Sequence, residues 1–247
     1  MTYCLGILLR DGLVLASDSR SNAGVDQVER VYKLDVLRAK DRVIVLQVAG
    51  NLATTQAVVT SLREAAGSGK AGRDLQGVAT MFEVAKIVGD ALRETLERDE
   101  RFVEAYGDAS ASFLVSGQIA GEAPRLFDIY SAGNFVEATQ RSQFMQIGES
   151  KYGKPILDRA LTPQSTLEEA AKLALLSFDA AVRSNLSVGL PIDLLIYRAG
   201  SYSSCNLVTI DEDDPYWTAL RQGYSEGLAT LISGLPTPPA AWLPEAL

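Results

Sequence analysis

The 247-residue sequence predicts an α+β fold: two stacked antiparallel sheets with helices covering both outer faces. Three observations carry that expectation. Apolar runs of strand length come in pairs joined by turn residues, as antiparallel hairpins require. Longer stretches with apolar residues at helical spacing lie between those pairs, grouped two and two. A hydrophobic fraction of 47% supports a sizeable core. No Pro/Gly/Ser-rich linker divides the chain before its end, so residues 1–234 read as one domain and 235–247 as a tail.

The first hairpin starts almost at the terminus. Residues 3–9 (YCLGILL) and 12–17 (GLVLAS) are apolar runs separated by Arg10-Asp11-Gly12, and Asp-Gly is a strong turn signal. Residues 19–30 (SRSNAGVDQVER) are polar with a glycine and read as a loop. A second strand pair follows at Val31–Leu37 and Arg42–Ala49, with Lys40-Asp41 as its turn. Gly50 closes that pair, and Leu52, Ala53, Ala57, Val58, Leu62 and Ala65 recur at helical spacing beyond it. Strand, glycine, helix is an order that can present a backbone N–H at a helix start.

After a small-residue loop at Gly67–Gly72, a helix is expected from about Met81 to Arg98, opened by the capping box of Thr80 with Glu83. Ala111–Ile119 and Arg125–Tyr130 read as a further hairpin, and Phe135–Ile147 as less regular, strand-rich sequence ended by Gly148. A short helix is expected from Ser150 to Leu161, with Pro155 tolerated only near its start. Thr166 with Glu169 caps a helix to about Arg183 that is apolar nearly all round, so it must be covered on more than one side. Strands at Ile192–Tyr197 and Cys205–Ile210 and a helix at Pro215–Ile232 complete the domain. The tail GLPTPPAAWLPEAL should be extended, either as a loose terminus or, because its Trp242 and leucines would otherwise be left in water, as an arm docked on a neighbouring subunit.

Composition narrows the chemistry. The chain has no histidine, which excludes Ser-His-Asp and Cys-His catalysis and every histidine metal site. A net charge of −8 argues against a nucleic-acid or anionic-membrane partner. Cys4 and Cys205 sit in apolar segments, where a reduced thiol behaves as a small hydrophobe. The sequence shows neither a secretory signature nor an apolar run of membrane-spanning length, which points to the cytoplasm.

Residue 2 is threonine, so removal of one methionine would leave a hydroxyl nucleophile and a free α-amine on the same residue. An α-amine titrates near pH ~7.7–8.0 and can take up the hydroxyl proton at neutral pH. Asp18 and Lys33, downstream, are the kinds of charge that tune such an amine. No metal or organic cofactor is needed for this chemistry.

Thr2, Gly6, Asp11-Gly12, Val14-Leu15-Ala16, Asp18-Ser19-Arg20, Lys33-Leu34 and Ala49-Gly50 together resemble the N-terminal third of a proteasome β subunit. More closely, MTYC with DSRSNAGVD resembles the bacterial proteasome-type branch called Anbu, the ancestral β-subunit group. RSNLSVG near residue 183 sits where such subunits carry their second active-site segment, so the resemblance spans most of the chain.

The resemblance implies the four-layer αββα fold of N-terminal-nucleophile hydrolases, a threonine-dependent peptidase and a homo-oligomeric ring or open spiral acting on peptides or unfolded polypeptides. It implies Thr2 as nucleophile after loss of Met1, and Lys33 as the charge lowering the amine and hydroxyl pKa values. Asp18 would be the partner of Lys33, Gly50 N–H the oxyanion donor, and Ser150 and Ser187 accessory hydroxyls. The sequence departs from the family pattern in places. The Gly-Ser-Gly segment becomes Gly148-Glu149-Ser150, and the acidic residue usually following the late arginine is Ser184. Glu149 is therefore expected to replace the missing carboxylate. Two other functions are compatible with the same residues: an amidase on small or γ-glutamyl-like amides, and an assembled peptide-binding scaffold.

Overall fold

The computed structural model describes residues 2–23, 27–202, 205–239 and 242. Two five-stranded antiparallel sheets form its centre. The first contains β1 (Tyr3–Leu9), β2 (Gly12–Asp18), β10 (Phe144–Gly148), β11 (Ile192–Arg198) and β12 (Asn206–Ile210), in the order β10-β1-β2-β11-β12. The second contains β5 (Leu34–Ala39), β6 (Arg42–Gly50), β7 (Ala111–Ile119), β8 (Arg125–Ile129) and β9 (Phe135–Glu137), in chain order.

Alternation along the strands builds the layers. In β1, Tyr3, Leu5, Ile7 and Leu9 face outward onto the helix α4 (Leu167–Ser184), in a core layer that also takes in α3 (Lys154–Ala160) and the start of α5 (Pro215–Ser233). Cys4, together with Leu13 and Leu15 of β2, faces inward and meets Val43, Val45 and Leu114 of the other sheet. The outer face of the second sheet packs Ile44, Phe113 and Phe127 beneath α1 (Leu52–Ala65) and α2 (Met81–Val103). Helices, sheet, sheet, helices is the expected four-layer αββα arrangement. Because both faces of each sheet are covered, the central strands read as continuous apolar runs rather than as clean alternation.

Both expected capping boxes are made, Thr80 with Glu83 and Thr166 with Glu169. The all-round apolar helix, α4, lies on the first sheet and is flanked by α3 and α5.

Several boundaries differ from the expectation. The segment at 19–30 is not a plain loop: β3 (Arg20–Ala23) and β4 (Gln27–Arg30) pair as a small hairpin of their own. Its polar residues hid the pairing, because neither strand belongs to a main sheet. The strand expected from Val31 begins at Leu34, and the second long helix continues to Val103. The 135–147 stretch divides, with β9 joining the second sheet and β10 the first. Residues 150–153 stay outside the helix that was expected to start there. Cys4 is fully buried, whereas Cys205 is only half-buried, just ahead of the edge strand β12. Of the Pro-rich tail, residues 235–239 and Trp242 are described; 235–239 lie outside any helix, and Trp242 is 78% exposed.

Candidate functional site

Thr2 is half-buried immediately ahead of β1. The backbone is pinned on both sides of it. Its carbonyl accepts a hydrogen bond from Glu149 N–H at 2.6 Å, and the next amide, Tyr3 N–H, donates to Asp18 Oδ1 at 2.9 Å. Tyr3 holds the strand from the helix side. Its ring is fully buried and stacked on Phe178 at 4.3 Å, while its hydroxyl lies 2.6 Å from Ser177 Oγ and 2.7 Å from Gln146 Nε2. An aromatic pair of this kind contributes about 0.5–1.5 kcal/mol beyond area burial.

Asp18 ends β2, the strand paired with β1, and is fully buried. The same Oδ1 that takes the Tyr3 amide accepts the Lys33 ammonium at 2.8 Å. Lys33 is 6% exposed and also donates to the Arg20 carbonyl. The ammonium therefore stands two hydrogen bonds from the amide that follows Thr2, shielded from bulk solvent. Its third proton has no acceptor among the described residues. Burial pushes the Asp18 pKa up, opposed by the Lys33 charge and by the N–H groups of Tyr3 and Gly189.

The second sheet approaches through Lys33. Its carbonyl accepts Val48 N–H at 3.0 Å, which aligns the end of β6, and so Gly50, with the site. Gly50 has φ +105, and Asn51, the residue after it, caps α1 by accepting Thr54 N–H at 3.2 Å.

Gly148 closes the arrangement from β10. It has φ +78, and a Cβ there would collide with the Thr2 carbonyl oxygen and lie 2.8 Å from the Thr2 carbonyl carbon. Only glycine admits both that backbone angle and that approach. Glu149 is 3% exposed, its carboxylate turned inward. Oε1 accepts Lys151 N–H at 2.6 Å and Tyr152 N–H at 3.2 Å, and Oε2 accepts Asn185 Nδ2 at 2.7 Å. Burial works against its ionisation, but these donors outweigh it and the pKa is lowered. Asn185 in turn accepts Ser187 N–H at 3.0 Å.

Two hydrogen-bonded strings thus meet at the Thr2–Tyr3 peptide: Lys33 and Asp18 reach the Tyr3 amide, and Glu149 joins the Thr2 carbonyl to Asn185 and the Ser187 amide. Gly50 joins through its strand. Ser150 is exposed and makes no hydrogen bond to the others among the described residues. Ser184 is exposed at the last turn of α4, one residue before the amide that Glu149 holds. Gly148 and Asn185 are the participants sequence reasoning missed. Asn185 stands inside RSNLSVG, directly after a helical run, where a helix-terminating asparagine is a readable signal. Buried Asp193 adds support behind β2, accepting Ser19 Oγ at 2.9 Å and Thr209 Oγ1 at 2.7 Å.

A cleft of about 570 Å³ opens beside Lys33, lined by Tyr32, Val48, Leu52, Thr55 and Arg63 among others. No group of three or more His, Cys, Asp or Glu among the described residues could hold a metal ion.

Residues 2–196 match the family model described as proteasome subunit. The chain belongs to the proteasome subunit family. Among proteasome relatives, proteasome subunit beta 2 of Pyrobaculum neutrophilum is 27% identical over 197 residues, spanning 79% of this chain and 88% of that one. Solved Anbu structures are much closer. Anbu from Yersinia bercovieri is 45% identical with a TM-score of 0.89, covering 96% of this chain and 98% of its own. The Anbu complex from Pseudomonas aeruginosa, described as a helical assembly, is 45% identical with a TM-score of 0.92, covering 98% and 100%. This proteasome-type chain therefore has the N-terminal-nucleophile hydrolase fold, with Anbu proteins as its structural neighbours.

Proposed function

We propose that this protein is a threonine peptidase that cleaves peptide bonds after removal of Met1, working within a self-assembled oligomer. One observation carries the reading: a single buried oxygen, Asp18 Oδ1, holds both the backbone next to Thr2 and the Lys33 ammonium.

Thr2 Oγ attacks the peptide carbonyl carbon as its proton passes to the α-amine. The Lys33 charge favours both the neutral amine and the developing alkoxide. The tetrahedral oxyanion is met by Gly50 N–H, a type of interaction whose loss costs about 10²–10³ in rate. Collapse breaks the C–N bond, and the ammonium on Thr2 returns its proton to the leaving amine. Water, deprotonated by the same amine, then attacks the acyl ester and regenerates the hydroxyl. Glu149 takes the place of the carboxylate absent at Ser184, holding Asn185 and through it Ser187. The cleft beside Lys33 receives the substrate side chain.

Self-association is supported by the helical assembly of the Pseudomonas Anbu complex and by apolar residues that this subunit leaves in water. Those residues lie on the edge strand β12 (Leu207, Val208), late in α5 (Leu231, Ile232) and at Trp242.

The test is intact mass together with labelling by a fluorescent peptide vinyl sulfone. A mature chain beginning at Thr2 that labels, with a Thr2→Ala chain that folds and does not, supports the reading. Retention of Met1, or equal labelling of the variant, refutes it.

A further inference from the structure

β10 is an outer strand of the first sheet: β1 pairs with one side of it, and the other side has no strand among the described residues. Met145 and Ile147 point into the core between the sheets, while Phe144 packs on the helix layer. Along the free side runs a cleft of about 560 Å³. Lys154 and Asp158 of α3 form one wall and Asp128 and Val136 the other, with Ser150 where β10 ends.

Asp128 is the feature in this cleft that lacks a counterpart. Its Oδ1 is buried with no hydrogen-bond partner among the described residues. Burial pushes its pKa up to about 6, and no neighbouring charge contributes. Of the other charged groups of the cleft, Lys154 and Asp158 are paired with each other, and Arg141 is turned to solvent. Lys154 Nζ lies 2.8 Å from both Asp158 oxygens and 5.1 Å from the centre of the Phe144 ring, and Arg141 is exposed at the lip. A carboxylate held this way is stabilised by an incoming cation, and an unpaired strand edge offers N–H and C=O groups to an extended chain.

We propose that this cleft binds an extended polypeptide segment as an added strand on β10, with a lysine or arginine of that segment paired to Asp128. Thr2 does not line this cleft, so it can be tested in the full-length Thr2→Ala protein, where bound peptide is not consumed. The probes are a fluorescein-labelled ten-residue peptide of alternating valine and lysine, and its counterpart with glutamine for lysine.

Fluorescence anisotropy should show the lysine peptide binding about tenfold tighter to Thr2→Ala than to Thr2→Ala/Asp128→Asn, as expected for a hydrogen bond to a charged partner. The preference over the glutamine peptide should fade as pH drops from about 8 to about 5, as Asp128 becomes neutral. Hydrogen exchange at the amides of Phe144, Gln146 and Gly148, which face away from β1, should slow when the lysine peptide is added. Equal affinity in the Asp128→Asn protein, or amides of Phe144, Gln146 and Gly148 already protected without peptide by a second copy of the chain, overturns the proposal. Should the asparagine variant misfold, the pH titration of the Thr2→Ala protein decides alone: a lysine preference unchanged at low pH refutes the pairing.

Discussion

Replacing Gly148 by alanine isolates the contribution of backbone fit to the site, because the protein supplies its own control. Gly148 and Gly200 have almost the same angle, φ +78 and +79, but a Cβ at Gly200 meets nothing within 4 Å. Gly200→Ala therefore reports left-handed strain alone, about 1–2 kcal/mol. Gly148→Ala adds a collision with the Thr2 carbonyl, which must move away from Glu149 N–H. Loss of that hydrogen bond adds about 1 kcal/mol, so the expected total is about 2–3 kcal/mol. The kinetic effect is larger, since a displacement of about 1 Å at a reacting group can cost about 100-fold. Urea unfolding of both variants gives the stability difference, and the rate of vinyl sulfone labelling gives the alignment. If the two alanine variants unfold at the same urea concentration and Gly148→Ala labels at the wild-type rate, Gly148 does not position the nucleophile.

The Asp18–Lys33 pair gives a second expectation. Asp18→Asn leaves a buried ammonium without its counter-charge and should cost about 3–5 kcal/mol in denaturant unfolding, whereas Asp18→Asn/Lys33→Met should recover most of the stability and none of the labelling. A double variant as unstable as the single one would contradict a buried pair. Glu149→Gln should remove a component of acid sensitivity. The folded-state pKa of Glu149 is depressed, so its contribution is present above the unfolded value and lost as pH falls through the folded one. A stability-versus-pH curve for Glu149→Gln that matches wild type on the acid side would count against the inward carboxylate. Asp128 has the opposite sign. With a folded pKa of about 6, stability is highest when it is protonated and falls as pH rises from the unfolded value, about 4, to about 6. After discounting for its partial exposure, Asp128→Asn should gain roughly 1 kcal/mol at pH 8 and almost nothing at pH 4, measured by thermal melts.

The fold was legible where one local signal sufficed. Capping boxes at Thr80 and Thr166 marked helix starts, and Asp11-Gly12 marked the first turn, because each depends on neighbours a few residues apart. The hairpin at residues 20–30 was not legible, since its strands pair only with each other and carry no apolar face. The 135–147 stretch looked like one unit because nothing local says that β9 and β10 join different sheets. Within the site, Thr2, Asp18 and Lys33 could be picked out by chemistry and order along the chain. Gly148 could not, because its role is a contact with Thr2 far along the chain, and Asn185 signalled only a helix end, its contact with Glu149 being nowhere written in its own neighbourhood. Glu149 stood out only as a departure from a familiar pattern, and its inward carboxylate gives that departure a physical place.

The first strand is flanked by one neighbour made at once and another made late. β2 follows after a two-residue turn, but β10, with the glutamate amide that fixes the Thr2 carbonyl, is synthesised only after every strand of the second sheet. During translation the opening residues thus emerge as half of a frame. A ribosome must release well over half of the polypeptide before the Thr2 carbonyl can meet its partner amide, so the first residues stay half-framed until β10 has been made.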